Sequence, residues 1–131
     1  MGQAWRGHDT SRADLGAAGE EAAAAWLQTH GYEILDRNAR SRYGEIDLVA
    51  RIGGVVVFLE VKSRTSARFG HPAEAIVARK QRRLLRLAEA YLHSRHLEGC
   101  AVRFDAVAVH LDATGRTVEI EHIPDAFRAG G

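Results

Sequence analysis

GEIDLVARIGGVVVFLEVK, residues 44–62, is two alternating, β-branched runs separated by Gly53-Gly54. Glycine supplies the positive φ that a two-residue turn needs, so the stretch predicts a tight antiparallel hairpin. Such a turn opposes Ile52 to Val55 and thereby fixes every pair behind them. Asp47 falls opposite Glu60, and Glu45 falls opposite Lys62. Side chains alternate along a strand, so this register puts all four on one face. The other face is expected to be wholly apolar, with Ile46, Leu48, Ala50 and Ile52 against Val61, Leu59, Val57 and Val55. A slip of one residue would destroy that separation.

Two carboxylates facing one another repel. A hard divalent ion such as Mg²⁺, held by oxygen ligands, would resolve the conflict. Lys62 projects toward the same place, two residues beyond Glu60. Two acids for an ion and a lysine near an attacking water outline a hydrolytic metal site. The competing interpretation is a solvated sheet face, with Glu45 and Lys62 as an ordinary surface pair. Spacing alone leaves both open. The composition adds one pointer. Of 18 basic residues only Lys62 and Lys80 are lysine; the rest are arginine. Lysine is a compact point charge, whereas arginine carries a planar fork and cannot be deprotonated. The two lysine positions are therefore candidates for sites where that difference matters.

A length of 131 residues suits one domain, and a 46% hydrophobic content supplies an ordinary core. The expected layout is a flexible tail over 1–13, a single domain over 14–123 and a second tail over 124–131. No apolar run approaches the roughly 20 residues of a membrane span. Met1 to Arg12 is polar and lacks a hydrophobic signal region, so a cytoplasmic location is expected. Cys100 is the single cysteine and excludes an internal disulfide framework. A net charge of +1 does not announce a nucleic-acid binder, but the distribution is uneven. Arg79, Lys80, Arg82, Arg83, Arg86, Arg95 and Arg103 stand against only Glu89 and Glu98 in their stretch. Arg37, Arg40 and Arg42 precede the first acid motif, and Arg64 and Arg68 follow Lys62. A basic surface beside an acidic site suits a phosphodiester; arginines that merely solvate helix faces are the alternative.

Along the chain, the Ala-rich stretch from Asp14 to Thr29 predicts a helix stopped by Gly31. Strands follow over Tyr32–Asn38, Glu45–Ile52 and Val55–Ser63. A loop spans Arg64–His71, and Pro72 opens a second helix that runs to about His96. Strands over Cys100–His110 and Thr117–Ile123 complete the domain, with a helical turn allowed after Pro124. The order α-β-β-β-α-β-β predicts an α/β fold, with a mixed central sheet and a helix on each face. Lys80 stands four residues before Leu84 and seven before Leu87, on the apolar side of the second helix. It either snorkels outward or points at a charged site. Glu20 follows Gly16 and Gly19, two helix glycines that would let the first helix approach the sheet closely. It is either an exposed helix glutamate or a contributor to the acid site. Asp105, an acid in a core strand, is expected to pair with an arginine such as Arg103. The histidines have no zinc-like spacing, and no Walker loop or Gly-x-Gly-x-x-Gly motif is present.

In order, these pieces are Gly16-x-x-Gly19-Glu20, Asn38-x-Arg40, Gly44-Glu-Ile-Asp-Leu48, Phe58-Leu-Glu-Val-Lys62-x-Arg64, Lys80 and Arg103-Phe-Asp105. Together they resemble the PD-(D/E)XK, or restriction-endonuclease-like, nuclease superfamily. Within it the chain is similar to the small bacterial YraN family, related to archaeal Holliday-junction resolvases. The resemblance spans about Asp14 to Ile123 and implies an α-β-β-β-α-β core. It implies that Asp47 and Glu60 are metal ligands, joined by the main-chain carbonyl of Val61. It implies that Lys62 orients or activates water, that Glu20 is the helix acid completing the site, and that Lys80 is a basic residue near the phosphate. Arg40, Arg42, Arg64 and Arg83 are the accompanying candidates for phosphate contacts.

The function this implies is a Mg²⁺-dependent nuclease, with Mn²⁺ as a substitute, cutting structured or branched DNA in preference to RNA. A four-way junction as substrate would favour a two-fold dimer. The alternative is a nucleic-acid-binding accessory protein of the same fold with a weak or inactive site.

Overall fold

The computed structural model describes residues 12–65 and 78–127, and side chains within its two helices from residues 16 and 81 onward. The expected N-terminal tail, most of the Arg64–His71 loop, the helix start at Pro72 and the last four residues lie outside that description, as does the side chain of Lys80. The elements are α1 (Arg12–Thr29), β1 (Glu33–Ser41), β2 (Gly44–Ile52), β3 (Val55–Arg64), α2 (Ala78–Ser94), β4 (Ala101–Leu111) and β5 (Thr117–Phe127). The strands form one sheet in chain order. Only β3 and β4 run parallel, joined by the crossover that contains α2, so the sheet is mixed as expected. No described helix is long and apolar enough to cross a membrane.

Alanine, the best helix former, dominates α1. Ala23, Ala24 and Leu27 are its buried stripe. They pack on Leu48, Ala50, Val57, Leu59, Val107 and Val109 of the sheet. The helix stops as its sequence predicts. Gly31 takes φ 91°, and Tyr32 N–H donates to the Leu27 carbonyl while Gly31 N–H donates to Gln28. That is the Schellman arrangement, which satisfies carbonyls the helix end leaves over. On the opposite face α2 sets Leu84, Leu87, Ala88 and Tyr91 against Ile46, Val49, Val56, Phe58 and Phe104. Tyr91 Oη and Arg95 also hold Asp36, tying the far end of α2 to β1.

Three expectations need correction. Thr117–Ile123 is too short for the last strand: β5 continues through Pro124 to Phe127, where Phe127 pairs with Phe104. A proline is tolerated there because β5 is an edge strand. Secondly, the hairpin has no polar face along its length. Val49, Val56 and Phe58 are buried under α2, just as Leu48, Ala50, Val57 and Leu59 are under α1. A sheet covered on both sides needs apolar residues on both. Thirdly, Ile46 packs with Val49 under α2 while Leu48 faces α1, so the alternation breaks at Asp47.

Only one of the two helix glycines makes a close approach. A β-carbon on Gly19 would stand 1.7 Å from Ser63 Oγ and 3.0 Å from Ser63 Cβ, whereas one on Gly16 meets nothing within 4 Å. The serine hydroxyl can rotate away, but its Cβ moves only with β3. Gly19→Ala is therefore expected to destabilise by about 1–3 kcal/mol through overpacking. Gly16→Ala should instead stabilise by up to about 1 kcal/mol through helix propensity. Denaturant midpoints of the two variants check the contrast.

Candidate active site

The hairpin register is as the Gly53-Gly54 turn dictates, from Ile52↔Val55 back to Leu48↔Leu59. Only Gly53 of the two glycines needs positive φ, at 58°. The β2–β3 ladder then ends one pair short of the acids, so the expected Asp47–Glu60 and Glu45–Lys62 pairs are not part of it. Past Leu48 toward its start, β2 stays with β1, through Ile46↔Ala39 and Glu45↔Arg40. Past Leu59, β3 stays with β4, through Glu60↔Ala106, Lys62↔Ala108 and Arg64↔His110. The sheet thus opens between its second and third strands where two acids would otherwise oppose each other. Opposite Asp47 on the other side, Asn38 of β1 adopts φ 53° and drops out of the β1–β2 pairing. Asparagine tolerates that left-handed conformation better than most residues.

Asp47 spans the opening. Its Oδ2 accepts the Val61 N–H at 2.8 Å, a side chain standing in for a ladder partner. Glu60 is 8% exposed, and Lys62 Nζ lies 3.9 Å from its Oε2. Across the opening, Glu20 of α1 comes close enough to Asn38 and Asp47 for both side chains to act on its carboxyl. The close seating of Gly19 on Ser63 is what carries Glu20 to this point. Its neighbour Glu21 turns outward to pair with Arg37 at 2.7 Å.

The electrostatics follow from crowding. Burial pushes the Asp47 carboxyl up to about 7, aided by the charge of Glu60; the Val61 N–H opposes the rise, and Glu20 and Glu45 add to it. Burial also raises Glu20. The side chains of Asn38 and Asp47 counter the rise, and the charges of Glu45 and Glu60 contribute to it. Mutual repulsion adds to burial in raising these carboxyls, and a bound cation would oppose it. Among the described residues no three His, Cys, Asp or Glu side chains are gathered as a ready-made metal cage. Mg²⁺ does not require one, since it is usually held by one or two carboxylates and keeps several waters. The hard oxygen donors of Asp47 and Glu60 fit such an ion, and main-chain oxygen and water would complete its shell.

A family model described as "Uncharacterised protein family UPF0102" matches residues 19–109. A UPF0102 protein of Moorella thermoacetica is 50% identical over 117 residues, covering 89% of this chain and 98% of that protein. One from Symbiobacterium thermophilum is 50% identical over 115 residues, covering 88% and 97%. A third, from Rhodococcus opacus, is 49% identical over 113 residues, covering 86% and 95%. The chain belongs to the UPF0102 family.

The UPF0102 match begins at the glycine that seats α1 and ends in β4, so it includes Glu20, Asp47, Glu60 and Lys62. The basic candidates in this UPF0102 chain are less tightly gathered than the acids. Arg40 is exposed and bonds Glu45 at 3.3 Å. Arg42 is exposed at the β1–β2 turn, and Arg83 of α2 lies with its Cδ 3.6 Å from the β-carbon position of Gly44. Arg64 is half-buried at the end of β3. Asp105 pairs with Arg103 as expected, but also with His122, a partner that the local motif does not reveal. Asn38 stands out in the sequence only as part of a motif, although an asparagine inside a strand is itself a signal of broken pairing. Nothing in the sequence singles out Tyr43, beside Gly44, or separates Arg82 and Arg86 from the rest of the arginine run.

Proposed function

We propose that this UPF0102 chain is a divalent-metal-dependent nuclease that hydrolyses phosphodiester bonds, acting on DNA in preference to RNA and on structured or branched forms above plain duplex. The observation that carries this is the opening of the sheet at Asp47 and Glu60, two crowded acids with Lys62 beside them. The resemblance to the PD-(D/E)XK nucleases assigns the same residues to the same chemistry.

Asp47 and Glu60 would hold the ion, with the Val61 carbonyl as a third donor and Glu20 as the neighbouring helix acid. Mg²⁺, or Mn²⁺ in its place, would supply charge neutralisation at the phosphate and acidify a water. Lys62 holds the attacking water and offsets charge that develops on the phosphate oxygens. Arginines around the site hold the backbone without reading sequence.

The test is a panel of labelled junction, flap, duplex and single-stranded DNA and RNA, incubated with Mg²⁺, Mn²⁺ or EDTA. Cleavage is expected with either ion and absent in EDTA. A chain that cuts none of these, yet shifts DNA in a salt-dependent way, is the accessory binding protein instead.

A further inference from the structure

The β1–β2 turn sets an aromatic ring among arginines that form no ion pair with any described acid. Arg42 and Tyr43 connect Ser41 to Gly44. Gly44 takes φ 129° and seats the turn against Arg83 and Leu87 of α2. Tyr43, Arg82, Arg83 and Arg86 line a pocket of about 240 Å³. The Arg42 guanidinium lies over the Tyr43 ring, 5.1 Å from its centroid, and Nη2 donates to the Tyr43 hydroxyl at 3.0 Å. Tyr43 nevertheless remains 37% exposed.

Four other arginines are paired: Arg37 with Glu21, Arg40 with Glu45, Arg95 with Asp36, Arg103 with Asp105. Among the described residues, Arg82, Arg83 and Arg86 form no ion pair. Arg82 and Arg86 are four apart on one helix, a like-charge spacing that weakens the helix. An anion in the pocket would reverse that penalty.

We propose that this pocket holds an unpaired stretch of nucleic acid, with one base stacked on Tyr43 and the flanking phosphates on Arg82, Arg83 and Arg86. Arginine's planar fork matches phosphate. A base inside a duplex has both faces occupied, so an aromatic ring selects a base that is unstacked. An acidic peptide would answer the charge and leave the ring unused. Tyr43 stands four residues before Asp47, about 13 Å along an extended chain. Four nucleotide steps at about 3.4 Å each cover the same distance. That link to the acid cleft rests on the nuclease reading, whereas binding in the pocket does not.

Fluorescence anisotropy in EDTA tests it on the full chain without cleavage. The probes are labelled single-stranded DNA, RNA of the same sequence, an abasic strand of equal length and a blunt duplex, with oligoglutamate as competitor. Base-bearing single strands are expected to bind more tightly than the abasic strand and the duplex, and the DNA and RNA arms identify the sugar preferred. Tyr43→Ala should weaken single-strand binding by about 5- to 150-fold and erase the advantage over the abasic strand, while Tyr43→Trp retains it. Arg82→Ala and Arg86→Ala should weaken binding of every strand, and each should flatten the log–log salt slope by about 0.7, the value of one phosphate no longer neutralised. Equal binding of abasic and base-bearing strands, indifference to Tyr43→Ala, or displacement by oligoglutamate as effective as by nucleic acid would each overturn the proposal. Tyr43-dependent binding without any Mg²⁺-dependent cleavage would sink the nuclease reading and keep this one. Asp47-dependent cleavage by a chain indifferent to Tyr43 would do the reverse.

Discussion

Asp47→Asn is expected to make the metal-free protein more stable above neutral pH while removing the proposed hydrolytic activity. In the unfolded chain this carboxyl titrates near 3.8; folding raises it to about 7 through burial first and Glu60 second. A raised carboxyl binds its proton more tightly in the folded state. Its contribution to stability is therefore fully present below pH 3.8, declines as the pH rises, and is gone above about 7. Ionised Asp47 then costs the fold on the order of 2–4 kcal/mol. Asparagine keeps the shape and an oxygen for the Val61 N–H but never ionises. Denaturation midpoints should favour the variant at pH 8 and converge toward wild type near pH 4. Mg²⁺ should raise the melting temperature of wild type at pH 8, by binding the folded state alone, and leave Asp47→Asn unmoved. Cleavage should fall by at least about 10²–10³-fold, the scale of losing one preorganised electrostatic group. An ordinary structural carboxylate would behave oppositely, with the asparagine variant the less stable one at pH 8.

The largest stability loss is expected from Asp105→Ala. Asp105 is 1% exposed and accepts from four directions. Arg103 donates Nε and Nη2 at 2.9 and 2.8 Å, His122 donates Nε2–H at 2.7 Å, and the Asp125 N–H donates at 2.9 Å. Arg103 also reaches Tyr32 Oη at 2.7 Å, and His122 packs edge-on against Trp26 and Tyr32. One carboxylate therefore joins α1, the start of β1, β4 and the φ 57° turn at Asp125 in β5. Removing it leaves the Arg103 guanidinium with Tyr32 but no counter-charge, and the His122 and Asp125 N–H groups without this acceptor, which should cost about 3–5 kcal/mol. For a chain of this size the melting temperature should drop by roughly 10–20 °C. Burial alone would raise the Asp105 carboxyl; the hydrogen bonds from His122, Arg103 and Asp125 overcome it and hold it below 3.8. The contribution is thus present above pH 3.8 and lost as the pH falls through the lower folded value, so the gap between wild type and variant should narrow in acid. A melting series from pH 7 to pH 2.5 reads this directly.

These two acids also mark how far the sequence can be read. Gly53-Gly54 and its flanking runs dictate the hairpin and its register, because a two-residue turn leaves one pairing. What pairing arithmetic cannot supply is the place where pairing stops. That depends on β2 following β1 and β3 following β4, and so on partners outside the hairpin. The solvated face offered as the alternative for the hairpin fails for a related reason: Val49, Val56 and Phe58 belong to a layer under α2 that the hairpin alone does not reveal. Glu20 is legible through Gly19, whose missing side chain allows the helix to seat on Ser63. Gly16 carries the same letter without the same contact. Asp105 is legible as a structural acid, but not as the centre of four donors, since His122 arrives from a strand seventeen residues away.

The measurement that tests the central claim most directly is single-turnover cleavage of labelled substrates in Mg²⁺ by wild type, Asp47→Asn and Lys62→Ala. Hydrolysis by wild type, absent in EDTA, is expected. So is its loss in Asp47→Asn and a fall on the order of 10²–10⁴-fold in Lys62→Ala. Cleavage that persists undiminished in both variants would contradict the account, because the opening between β2 and β3 would then not be where the chemistry happens.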